Sequence, residues 1–202
     1  MAAERKPKQR SGAFRRRKLR YELSRQTRKP LDLDRHLPFG IAVLSNLLRV
    51  DRDPHVRRLT DLGARELRIL LNIGSYMPIR AADVAYQSRL DTHTVSRGVQ
   101  TLLQKGLVAP SEDPLDRRTS RLSLTARGAA LYASLADILE QRDRRLSRCL
   151  SPGERDQLEN MLARLEDCAE EILAGEVLEC AQDGATVPAD QKELLRWYRR
   201  GV

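Results

Sequence analysis

Cysteine is scarce in this 202-residue chain: Cys149, Cys168 and Cys180 are odd in number, and no two share a C-x-x-C spacing. That excludes a disulfide framework and a cysteine zinc site, and it points to a reducing cytoplasm. Long apolar runs are missing too. No stretch approaches the ~20 residues that cross a bilayer, and the first residues show no secretory h-region, so no membrane partner is expected. Histidine occurs three times, at His36, His55 and His93, each isolated from any spaced acid, nucleophile or second ligand. Neither a catalytic triad nor a metal site is visible. Phosphate-binding glycine loops of the P-loop and dinucleotide types are also absent. An enzyme reading therefore lacks its usual anchors, and no cofactor is expected.

Charge, in contrast, is plentiful and unevenly spread. The chain has 37 Lys and Arg against 28 Asp and Glu, a net of +9. Residues 1–30 hold 12 of those bases against Glu4 and Glu22, a net of +10, so the rest has 25 bases and 26 acids, a net of −1. Pro7, Gly12 and the shortage of apolar residues predict disorder at the start of this arm. Phe14, Leu19, Tyr21 and Leu23 form no stripe, which argues against an amphipathic membrane helix. Two readings remain: an arm that follows DNA phosphates, steepening the salt dependence without adding sequence information, and a passive solubilising leader.

The most informative stretch runs from Leu90 to Gly128. Asp91 and Thr92 suit a helix N-cap, and Gly106 suits the position after a helix end, with Lys105 in the last turn. Between them Val95, Val99, Leu102 and Leu103 share one apolar face. The remaining sides carry Thr92, His93, Thr94, Ser96, Arg97, Gln100 and Thr101, with no acid after Asp91. Short hydroxyls allow close approach to phosphates, while Arg and Gln have the fork geometry that reads guanine and adenine edges. Leu107-Val108-Ala109 and Arg121-Leu122-Ser123-Leu124 then read as two short strands. The Ser111–Ser120 turn between them carries Asp116, Arg117 and Arg118. A narrow minor groove draws in such guanidinium groups, and Asp116 can hold one Arg in a bidentate pair.

Helix and hairpin in this order resemble the winged helix-turn-helix of the MarR family of transcription regulators. The matching words are Asp83-Val84-Ala85 in the first helix of the motif, Thr94-Val95-Ser96-Arg97 in the recognition helix and Leu103-Gln104-Lys105-Gly106-Leu107-Val108 at the wing entry. Asp113-Pro114-Leu115-Asp116-Arg117-Arg118 matches the wing, and Leu124-Thr125-Ala126-Arg127-Gly128 its exit; flanking likeness extends to about residues 35–174. One departure is Ala109-Pro110, where the family often has Arg, which predicts one backbone contact fewer and a bend in the first wing strand. The resemblance implies a mainly α fold with a small antiparallel β-wing, a winged helix-turn-helix plus a helical dimerisation region. Its implied DNA-binding residues are Thr92, His93, Thr94, Ser96, Arg97, Gln100, Thr101, Lys105, Asp116, Arg117, Arg118 and Arg121. It also implies a homodimer on double-stranded DNA, often a repressor released by a small-molecule effector. The effector crevice would be lined from the first helix and from Leu59 to Tyr76.

The expected organisation is a basic arm (1–30), a first dimerisation helix (31–58), the winged domain (59–128), dimerisation helices (129–174) and a C-terminal extension (175–202). Leu37 to Val50 reads as a helix apolar on more than one side. Thr60 to Ile73 and Ile79 to Arg89 follow as helices, with His55 beside Pro54 in a loop. Ala126 to about Leu150 forms a long helix. Ser151-Pro152-Gly153-Glu154 is a capping box, and the helix after it lines up Leu158, Met161, Leu162, Leu165, Cys168, Ile172 and Leu173. Faces this wide need a partner, and the resemblance makes it a second copy, on a near-palindromic operator with half-sites ~34 Å apart. Gln182 to Asp190 reads as a linker and Gln191 to Arg200 as a short helix. That helix either docks Trp197 or presents an aromatic-basic peptide to DNA or protein.

Two function classes stay open: a sequence-specific regulator, and a non-sequence-specific architectural or protein-docking module on the same fold. Cysteine redox sensing is the alternative mode of regulation. Cys149 and Cys180 are its candidates, because Cys168 on the apolar stripe is expected to pack as a small hydrophobe.

Overall fold

In the computed structural model, which describes residues 22–111 and 120–200, the chain divides into two units, Met1–Arg49 and Val50–Val202. The first contains α1 (Leu37–Leu48). His36 caps it, its Nδ1 accepting the Phe39 N–H at 3.2 Å, and Pro38 sits in the first turn, where a missing N–H costs nothing. Leu37, Ile41, Leu44 and Leu47 are all exposed along it.

The second unit is built around α3 (Ala64–Tyr76), whose Leu67, Ile69, Leu70 and Ile73 are fully buried. Each such side chain stabilises the fold by roughly 1.5–3 kcal/mol. Around it pack α4 (Ala81–Ser88) through Val84 and Ala85, α5 (Thr92–Gln104) through Val95, Val99 and Leu102, and α6 (Ala126–Ser147) through Leu135. Several elements differ from expectation. His55 belongs to a short helix, α2 (Pro54–Leu59), because Asp53 accepts the His55 N–H at 2.8 Å and Pro54 opens the first turn. The next helix starts at Ala64 rather than Thr60, since Thr60 is extended and its hydroxyl accepts the Leu62 N–H at 3.2 Å.

Ile79, expected in a helix, instead bridges to the wing. Its N–H donates to Leu122 O at 3.1 Å and its carbonyl accepts from Leu122 N at 2.8 Å. The wing pairs β1 (Val108–Ser111) and β2 (Arg121–Leu124) antiparallel, with Val108 opposite Leu124 and Pro110 opposite Leu122. Ala109 and Pro110 thus stay within the strand. Leu122 directs both backbone groups at Ile79, so the facing Pro110 is in a non-hydrogen-bonded pair and its nitrogen points to the free edge. No ladder bond is lost there, so the edge strand accepts proline.

The chain then forms α7 (Pro152–Gln182) and α8 (Ala189–Arg200). The capping box is present: the Ser151 N–H donates to Glu154 Oε2 at 2.7 Å, and the Glu154 N–H donates to Ser151 Oγ at 3.3 Å. At the far end Gly184, at φ +83°, lets the Ala185 N–H reach back to Cys180 O at 3.0 Å and reverses the chain. As a result α8 packs back on α7, where Ala174 and Val177 are buried, and Trp197 is 7% exposed. The apolar row of α7 is exposed from Leu158 to Leu173. Cys168 shares that exposure rather than packing as a small hydrophobe, and Cys149 and Cys180 are exposed as well.

Candidate nucleic-acid interface

The candidate interface centres on α5, whose ends are both fixed. Asp91 caps its start, Oδ1 accepting the Thr94 N–H at 2.8 Å. Hydrogen bonds from the Thr94 hydroxyl and backbone hold the Asp91 carboxyl below the usual carboxylate range. At its end Gly106 takes φ +63°, donating to Leu103 O at 2.9 Å while the Leu107 N–H donates to Leu102 O at 2.9 Å. Leu107 and Leu102 are both buried, so the turn also seals the core. In mid-helix, a Cβ at Gly98 would lie 2.3 Å from Ile69 Cδ1, so glycine sets how closely α5 approaches α3.

With Val95, Gly98, Val99 and Leu102 buried, the opposite face of α5 presents His93, Ser96, Arg97 and Gln100, all exposed. Gln104 completes this face one turn beyond Gln100; the i, i+4 spacing was readable in the sequence, yet it was not among the expected residues. Thr94 and Thr101 are half-buried at its flank, and the Thr101 hydroxyl donates to Arg97 O at 3.1 Å.

Three other expected residues have protein partners. Lys105 pairs with Asp61, Nζ at 2.8 and 2.9 Å from its two carboxylate oxygens, and this contact holds the Asp61 carboxyl below its ordinary range. Arg121 donates from Nη1 to Pro78 O at 3.0 Å, linking the wing to the segment before α4. Thr92 donates from its N–H at 2.9 Å and its hydroxyl at 3.2 Å to Glu193 Oε2, a contact across 101 residues that no local pattern foretells. Asp116, Arg117 and Arg118 lie outside the described residues, as does the arm up to residue 21.

A residue missed by the sequence reading closes the turn between α4 and α5. Arg89 adopts the left-handed conformation at φ +49°, uncommon for a side chain of its size. Its guanidinium lies over the Tyr86 ring at 4.4 Å and pairs with Glu166 at 3.4 Å and with Glu170, both on α7. The base of the wing is equally well tied. Thr125 caps α6 by accepting the Gly128 N–H at 3.1 Å, while its hydroxyl donates to Gly106 O at 2.7 Å. Away from this face, an open cavity of about 450 Å³ lies between α2 and α6, lined by His55, Arg58, Leu59, Ile138, Arg142 and Arg145. Among the described residues no group of His, Cys, Asp and Glu is placed to hold a metal, and no helix is long and apolar enough to cross a membrane.

The family model of the MarR family matches residues 60–119. No curated protein matches the sequence. Among solved structures, a MarR/EmrR family transcriptional regulator from Acinetobacter sp. ADP1 is similar over 70% of this chain and 99% of its own, at 26% identity and a TM-score of 0.63. The MepR–DNA complex of S. aureus shares the fold over 64% of this chain and 96% of its own, at 20% identity and a TM-score of 0.57. FabT of Streptococcus pneumoniae, in complex with DNA, does so over 67% and 96%, at 19% identity and a TM-score of 0.56. Residues 60–119 thus match the MarR family model, and the fold around them is shared with MarR-family transcription regulators.

Proposed function

We propose that this protein is a homodimeric, sequence-specific DNA-binding repressor of the cytoplasm that responds to a small ligand. The observation that carries the reading is the acid-free outer face of α5, with His93, Ser96, Arg97 and Gln100 exposed on a helix fixed at both ends. In that reading α5 enters the major groove, where Arg97 and Gln100 read base edges and Ser96 approaches phosphate. Arg117 and Arg118 reach the adjacent minor groove, steadied by Asp116. MepR and FabT, which share this fold, were solved in complex with DNA, and that supports DNA as the partner. Lys105, Thr101 and Arg121 act mainly as braces, given their protein partners.

Dimerisation is supported by the exposed apolar rows of α1 and α7, because faces of this kind are covered in a stable assembly. Symmetry then asks for a near-palindromic operator. The cavity between α2 and α6, lined by Arg58, Arg142 and Arg145 together with Asp53 and Asp137, supports response to a small polar ligand. The basic residues 1–30 favour a second reading, a non-sequence-specific architectural module.

Selecting bound genomic fragments with the purified protein supplies the operator. Arg97→Ala and Arg118→Ala should then each weaken operator binding by about 1–3 kcal/mol and leave the dimer intact. Random DNA competing as well as operator DNA would establish the architectural reading instead.

A further inference from the structure

The start of α5 carries donors of the kind that bind DNA phosphates: the Thr92 N–H in the first helical turn, the Thr92 hydroxyl, and the Arg89 guanidinium just before it. A helix N-terminus favours an anion through its unsatisfied N–H groups and its dipole. In this chain the anions already there are its own. Glu193 of α8 is 7% exposed and accepts both Thr92 donors, at 2.9 and 3.2 Å. Glu166 and Glu170 of α7 take up Arg89. Glu193 is the buried charged residue of the described chain, and Trp197, one helical turn further on, is buried on the same side of α8. Three carboxylates from one helical hairpin thus converge on the four residues Arg89–Thr92.

We propose that the α7–α8 hairpin is an autoinhibitory clasp, in which Glu193 holds the place of a DNA phosphate at the start of the recognition helix and α8 must swing away for full DNA binding. The inference rests on the reading of α5 as the DNA-contacting helix. Closed and open forms exchange, and DNA binds the open one, so measured affinity is reduced by the fraction open. The clasp is electrostatic at its tip and apolar at its base. Removing the charge of Glu193 shifts the balance towards open, and removing the Trp197 ring shifts it further.

The test compares the full-length protein with Glu193→Gln, Trp197→Ala and Arg97→Ala on operator fragments selected by the wild type. The clasp predicts binding about tenfold tighter for Glu193→Gln and at least as tight for Trp197→Ala, because charged hydrogen bonds of this kind have that order of effect. Trp197 is the single tryptophan, so its emission reports the clasp directly and should move to the red when operator DNA is added to the wild type. Unchanged or weaker binding by Glu193→Gln, or an emission maximum that DNA does not move, overturns the proposal. Arg97→Ala separates the two readings. If it binds as well as the wild type, the DNA role of α5 fails; if it binds more weakly while Glu193→Gln gains nothing, only the clasp fails.

Discussion

Asp91 shows how one side chain sets the geometry of the recognition helix. It ends the α4–α5 turn, accepts the Thr94 N–H at 2.8 Å and so determines where the exposed face begins. Asp91→Ala is expected to cost about 1 kcal/mol of stability, the usual effect of losing an N-cap, measured by urea unfolding. Its pH dependence follows from the lowered pKa. The carboxyl is stabilised in the folded state, so its contribution is present above the ordinary carboxylate pKa and fades as the pH falls through that value towards the lowered one. Asp91→Asn keeps an acceptor but does not titrate, so it should flatten the acid limb of the stability curve; an unchanged limb would mean the cap is not charge-assisted. The cap and the Gly106 stop were legible in the sequence because both act within a few residues. The partners of Lys105 and Thr92 were not, since Asp61 lies 44 residues away and Glu193 lies 101 residues away.

Between elements, close approach decides more than hydrophobic pattern. A Cβ on Gly128, in the first turn of α6, would sit 1.9 Å from Leu107 O, a backbone atom with no freedom to turn aside. Gly128→Ala should therefore lower the thermal midpoint, although alanine favours a helix interior by about 1 kcal/mol over glycine. Overpacking against backbone costs roughly 1–3 kcal/mol and is expected to outweigh that gain, and a raised midpoint would show that the wing base is loose. Strand pairing follows the same rule. Residues 121–124 alternate visibly, but Ile79 reads as part of a helical run and becomes a strand residue only because Leu122 offers it both backbone partners. Pro110 likewise reads as a defect and fits at the edge because β2 is paired on its other side.

At the scale of the whole molecule, the apolar row of α7 needs a cover. Met161 and Leu162 are 53% and 48% exposed, with Ile172 at 55%, about three turns further along. If a second copy covers them, Leu162→Asp should give monomers in sedimentation and lose most operator affinity, because one half-site is then bound at a time. A variant still dimeric would move the interface elsewhere. The charge asymmetry has its own test. Removing residues 1–30 takes away 12 Lys and Arg and leaves a body with a net charge of −1. If the arm follows phosphates, affinity falls and the salt slope becomes shallower by about 0.9 for each phosphate no longer neutralised, with sequence preference retained. An unchanged slope would make the arm a passive leader.

The sequence by itself determined the winged helix: its apolar spacings, the Asp91 and Gly106 boundaries, the short hydroxyls and arginine of α5 and the order of its motifs. These are local properties, written within a turn of helix or a pair of strands. Tertiary structure decided which face of α5 stays open, how Pro110 is accommodated, and that Arg89 and Thr92 meet carboxylates from α7 and α8. Those depend on chain reversal at Gly184 and on packing around α3, where residues far apart in sequence become neighbours. Local spacing carries no record of such contacts.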